Sequence, residues 1–179
     1  MHFLLAVWLS TSVSNAAVGL QAARCVRPTT NVAGWSILET SRLPAWRLSL
    51  PWEFKRDAAE ASFDQNNPGK AHGSRWHSSD SQLSILRIDS GEYAFTLPEA
   101  SDTLPEYSRC VEPIAGGEAI IVSYNKLTSV GEAYAGPFLV LVDLKTSRGE
   151  HFQMYASARH RPAFEQMLAA VRTFRRNPR

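Results

Sequence analysis

The chain has 179 residues, of which 44% are hydrophobic and 20% charged, with a formal net charge of +2. That length makes one ordinary domain with room for a real core, and the composition has neither the apolar poverty nor the charge excess of a disordered chain. Near-neutrality leaves no electrostatic footprint for nucleic acid, and no segment after the leader approaches the roughly 20 apolar residues of a membrane-spanning helix.

The first element is that leader. Phe3-Leu4-Leu5-Ala6-Val7-Trp8-Leu9 is an apolar run, Ser10 to Asn15 a polar step, and Ala16-Ala17 a small-residue close, with no acid or base before Arg24. An apolar region followed by small residues is the order a signal peptidase reads, although the n-region offers only the amino terminus and His2. The expectation is a signal peptide over 1–19, an N-terminal extension over 20–45 and a single domain over 46–179, exported to a periplasmic or extracellular compartment. In an oxidising compartment a lone pair of cysteines usually bonds, so Cys25 and Cys110 are expected to form a disulfide. The alternatives are two separate thiols or a lipid-modified Cys25, the latter opposed by Arg24 directly before it.

Residues 24–34 read as loop, rich in Pro, Gly and short polar residues. Trp35 to Glu39 reads as a short strand. Trp46-Arg-Leu-Ser-Leu50 alternates apolar and polar, the period of a half-buried strand, and Pro51 ends it. Lys55 to Ser74 is polar and turn-rich, an exposed excursion with one helical turn near Ala58–Ala61. Arg75–Ser78 and Gln82–Asp89 form a hairpin around Ser79-Asp80-Ser81, and 97–108 is a loop holding two prolines. Arg109–Ile114 and Ala119–Tyr124 make a second hairpin on Gly116-Gly117, since glycine accepts positive φ without a Cβ penalty. Gly136–Asp143 is a nearly continuous apolar run and reads as a central strand, turned by Thr146–Gly149 into His151–Ala156. Pro162 fits the first turn of a helix, and Phe164, Met167, Leu168, Val171 and Phe174 form one apolar stripe, which predicts a helix over 162–174. The order predicts α+β: a twisted antiparallel sheet packed against a C-terminal amphipathic helix.

Over roughly residues 45–175 this order resembles the Mog1/PsbP-like fold family. The likeness is carried by Leu50-Pro51 with its aromatic flank, the strand bearing Trp76, the Gly-Gly hairpin into Ile120–Tyr124, and the closing helix from Phe164 to Phe174. The family is mostly non-enzymatic and includes exported or lumenal accessory proteins that bind larger assemblies. The resemblance implies a binding role, names no ligand and transfers no site residue.

The residues themselves carry little chemistry. His72 and His77 flank Trp76 without a Cys or clustered acid at ligand spacing. No serine lies in Gly-x-Ser-x-Gly, and the carboxylate pairs Asp57/Glu60 and Asp102/Glu106 sit in the most polar stretches. Gly116-Gly117 opens no helix and so holds no phosphate. Catalytic, cofactor and metal residues are therefore expected to be none. The basic concentration at Arg172, Arg175 and Arg176 reads first as a helix C-terminus complementing its dipole. It is also a candidate contact for an acidic protein or an anionic membrane surface. Trp46 and Trp52, bracketing Pro51, are candidate walls of a binding groove. Partner-contact candidates are thus Trp46, Trp52, Arg172, Arg175 and Arg176. The reading is an exported, cofactor-free, non-enzymatic binding or accessory module for a protein partner. The alternative is a small secreted hydrolase with dispersed catalytic residues.

Overall fold

The structure is a computed structural model and describes residues 23–25, 28, 30–39, 45–57, 72–88, 95–126 and 136–178. The leader over 1–19 and the helical turn near Ala58–Ala61 lie outside the described residues. In chain order the strands are β1 (Ala23–Arg24), β2 (Ser36–Glu39), β3 (Trp46–Leu50), β4 (Lys55–Arg56), β5 (His72–His77) and β6 (Ser81–Arg87). There follow β7 (Ser108–Ile114), β8 (Gly117–Asn125), β9 (Phe138–Thr146), β10 (His151–Ala158), the helix α1 (Arg161–Arg172) and β11 (Arg175–Arg176).

Eight strands form one sheet in the order β1-β7-β8-β9-β10-β6-β5-β4, and β11-β3-β2 form a smaller one. Every neighbouring pair is antiparallel except β1 with β7. The fold is α+β, a mostly antiparallel sheet with one helix packed on it. β9 is central because its apolar run is buried on both faces. Side chains alternate across a strand, so Val140, Val142 and Leu144 join Phe152, Met154, Ala156 and Ile121 in the main core. α1 and the small sheet cover that face, through Ala163, Phe164, Met167 and Val171 from the helix and Trp46, Leu48 and Leu50 from β3. Leu139, Leu141, Val122 and Leu86 are buried on the opposite face. There the Gln153 side chain acts like a neighbouring strand: it accepts from Phe95 N–H at 2.7 Å and donates to Phe95 C=O at 3.0 Å.

The β7–β8 turn sits one residue earlier than the sequence suggests. Ala115 (φ 55°) and Gly116 (φ 74°) are its two central residues, giving the left-handed pair that matches strand twist. Gly117 already belongs to β8, facing Ile114 on one side and Thr146 on the other. A Cβ there would lie 2.2 Å from the Lys145 carbonyl oxygen, so this glycine serves close backbone approach and its neighbour serves φ.

The helix is shorter than the apolar stripe. His160 is its N-cap, with Nδ1 accepting from Ala163 N–H at 3.3 Å, and Pro162 sits in the first turn. After Arg172 the Thr173 hydroxyl donates to Ala170 C=O at 2.7 Å and accepts from Ser49 N–H at 2.7 Å, tying the helix end to β3. Phe174 therefore lies beyond the helix yet is only 1% exposed. It stacks on Trp46 with centroids 4.9 Å apart and meets Phe152 edge-on at 5.2 Å.

Residues before Trp46 also belong to the fold. β2 pairs with β3 over Ser36↔Leu50 to Glu39↔Arg47, and β1 runs beside β7. Cys25, directly after β1, and Cys110, which pairs with Ala23 in the β1–β7 register, are disulfide-bonded with Cα atoms 5.0 Å apart.

Candidate functional site

The two candidate tryptophans are separated by the strand that carries the first of them. Alternation along β3 sends Trp46, Leu48 and Leu50 inward, and Trp46 is 3% exposed. Its Nε1 donates to Glu150 Oε1 at 3.3 Å. Pro51 then ends the strand, and a turn closed by Phe54 N–H to Pro51 C=O at 3.1 Å buries Phe54 and turns Trp52 outward. Trp52 is 84% exposed. A groove walled by both indoles does not exist; Trp46 is a core residue and Trp52 stands alone.

Beside Trp52 lies an open groove of about 480 Å³ lined by Glu53, Lys55, His77, Ser78 and Ser79. The His77 imidazole is held through Nδ1 by the Asp57 carboxylate, with Arg75 Nε 3.9 Å from the same carboxylate. The Ser78 hydroxyl accepts from the backbone N–H groups of Asp80 at 3.3 Å and Ser81 at 3.1 Å. That fixes the β5–β6 turn, as serine commonly does. A second hollow of about 220 Å³ lies against the same turn and reaches Arg159. Among the described residues no hydroxyl is hydrogen-bonded to His77, and both cysteines are in the disulfide. The arrangement offers an aromatic platform beside a fixed polar rim.

The basic tail is mostly occupied by the fold. Arg172 Nε meets Glu112 Oε1 at 2.7 Å, its Nη1 donates to Leu168 C=O at 2.6 Å, and its side chain is 15% exposed. It links the helix end to β7. Arg176 places its guanidinium 5.8 Å from the Trp46 ring, with Nη2 3.9 Å from Glu150 Oε1. Arg175 is the exposed member of the three.

A third feature was not legible in the sequence. α1 packs against β9, β10, β6 and β3. Along one edge of its sheet-facing side the helix forms one wall of a cleft of about 190 Å³ whose other wall is the β7–β8 hairpin. Phe164 and Leu168 face Ile121 and Ser123 across it, and Cys110 of the disulfide lies in its wall. At the mouth Arg161 pairs with the Glu106 carboxylate, and its guanidinium lies 5.3 Å from the Phe138 ring centroid and 5.8 Å from that of Phe164. Burial pushes the Tyr124 phenol, also lining the cleft, above its ordinary pKa. The one signal that marks this site is structural: Glu106 has φ 57°, uncommon for a non-glycine residue and often found where function requires it.

Among the described residues no helix is long and apolar enough to cross a membrane. No protein-family model matches this chain, and no curated protein matches it either.

Proposed function

We propose that this chain is an exported, non-enzymatic binding or accessory module that engages a protein partner through the surface around Trp52. Trp52 carries the reading. A large indole held outward by a short turn, beside charged and hydroxyl side chains, is the kind of anchor that dominates protein interfaces. Export rests on the leader sequence and accords with the Cys25–Cys110 bridge, since disulfides persist in oxidising compartments. The PsbP-like resemblance points the same way, with a closing helix on a largely antiparallel sheet.

Immobilised wild-type chain and Trp52→Ala, offered the native envelope fraction, test the surface. The expected result is one retained protein whose binding falls about tenfold or more with Trp52→Ala, while the thermal midpoint of the variant is unchanged. Equal retention by the two chains overturns the surface. Arg175→Ala should reduce retention only if the tail also touches the partner. Mass spectrometry of the mature chain should find an N-terminus between Ala17 and Leu20; a cytoplasmic product beginning at Met1 removes export from the proposal.

The Asp57–His77 pair beside Ser78 and Ser79 favours a second reading, a small secreted hydrolase, because a carboxylate-oriented imidazole is two-thirds of a serine triad. Turnover of a simple ester that His77→Ala abolishes would establish it in place of the binding module.

A further inference from the structure

We propose that the cleft between α1 and the β7–β8 hairpin is a binding site for a small amphipathic carboxylate. Glu106 acts there as an internal stand-in that the ligand displaces from Arg161. This site is separate from the Trp52 surface and does not depend on the reading given to it.

Size sets the class of ligand. The cleft holds about 190 Å³, and an engineered cavity of about 150 Å³ accepts benzene. A single ring or a short branched chain therefore fits and a long lipid tail does not. The interior supplies the matching surface, with Phe164, Leu168 and Ile121 presented from two facing elements.

The charged end is set by which arginine is available. Arg172, deeper on the helix, is 15% exposed and already meets Glu112 and the Leu168 carbonyl. Arg161 sits at the mouth, about half exposed, over the Phe138 and Phe164 rings. A guanidinium lying across aromatic faces keeps its planar fork presented to a carboxylate. Among the described residues that fork is paired with the Glu106 carboxylate. Glu106 reaches it from a backbone with φ 57°, a conformation that costs a non-glycine residue free energy. A half-exposed ion pair contributes little to stability. A ligand carboxylate that also buries an apolar body gains what Glu106 cannot, because the Glu106 side chain is itself about half exposed at the mouth. Around the body, Ser108 and Ser123 face each other across the β7–β8 pair.

The test titrates the full chain with benzoate and with benzamide, its uncharged counterpart of the same shape, following the ring resonances of Phe138 and Phe164 by NMR. Saturable shifts with benzoate and at least about tenfold weaker binding of benzamide are expected. Arg161→Gln should weaken benzoate by about tenfold or more. Glu106→Gln removes the competing charge and keeps the side-chain shape, so it should tighten benzoate several-fold. That increase separates a displaced stand-in from a merely structural ion pair. If Arg161→Gln fails to fold, Glu106→Gln against wild type still decides. The proposal is overturned by no saturable shift in either chain, by equal binding of benzoate and benzamide, or by weaker benzoate binding in Glu106→Gln.

Discussion

Trp46 and Trp52 have the same side chain and opposite surroundings, and the residue between them that matters is Pro51. The strand period puts Trp46 on the core side, where it stacks on Phe174 and meets Phe152 at 4.8 Å. Truncating a buried aromatic side chain typically costs about 3–5 kcal/mol. Trp46→Ala should therefore lower the thermal midpoint sharply, and Trp52→Ala should leave it within the scatter of repeat melts. The alternation that buries Trp46 is written in Trp46-Arg-Leu-Ser-Leu50; the outward turn of Trp52 depends on Phe54 being buried, which no local pattern announces. Tyr124 gives a residue-scale pH dependence. Its folded pKa is raised by burial, so above the ordinary phenol value of about 10 the unfolded chain releases a proton that the folded chain keeps. Stability from this group is complete below that pH and falls as pH rises through the folded value. Tyr124→Phe should flatten the alkaline end of a stability–pH curve and leave the neutral region in place.

At the scale of elements, the helix and its stripe were readable, and the division of labour along the stripe was not. Phe164, Met167, Leu168 and Val171 all lie on the sheet-facing side, but Met167 is fully buried while Leu168 is partly buried and borders the cleft. Met167→Ala should cost about 2–5 kcal/mol, and Leu168→Ala less; chemical denaturation of the two variants measures the difference. Equal losses would mean that the cleft side of α1 is packed as tightly as its centre. Phe174 belongs to the stripe by spacing but not by structure, because Thr173 ends the helix by bonding to Ser49. The β7–β8 hairpin was readable to within one residue. Two adjacent glycines looked like one device, and they are two: Gly116 for φ, Gly117 for the approach of Lys145.

For the whole molecule, the α+β architecture followed from element order, since an amphipathic helix after an antiparallel meander has one apolar surface to cover. What the sequence left unreadable is long-range. β11 is two arginines with no strand signal, formed only because Arg175 and Arg176 lie beside Arg47 and Trp46. The Gln153–Phe95 clamp joins residues 58 positions apart, and the carboxylate-bearing cleft is assembled from a proline loop, a hairpin and a helix. The disulfide is the covalent long-range constraint, bonding residues 85 positions apart. Closing a loop of that length is worth about 4–5 kcal/mol on the chain-entropy estimate. Cys25→Ser with Cys110→Ser should lower stability by about that amount in a denaturant titration, and a loss well under 1 kcal/mol would show that the unfolded chain is already compact.

The pairing of β11 with β3 has a consequence in time. Among the described strands β11 is synthesised after all the others, yet the Trp46–Phe152–Phe174 cluster is complete only when it is in place. A chain emerging from the ribosome therefore lacks the piece that joins Trp46 to Phe174, and this non-local closure is intrinsically slow. A released chain truncated after Thr173 should be cleaved by protease far faster than the full chain, and equal cleavage would show that the aromatic cluster does not need its last member.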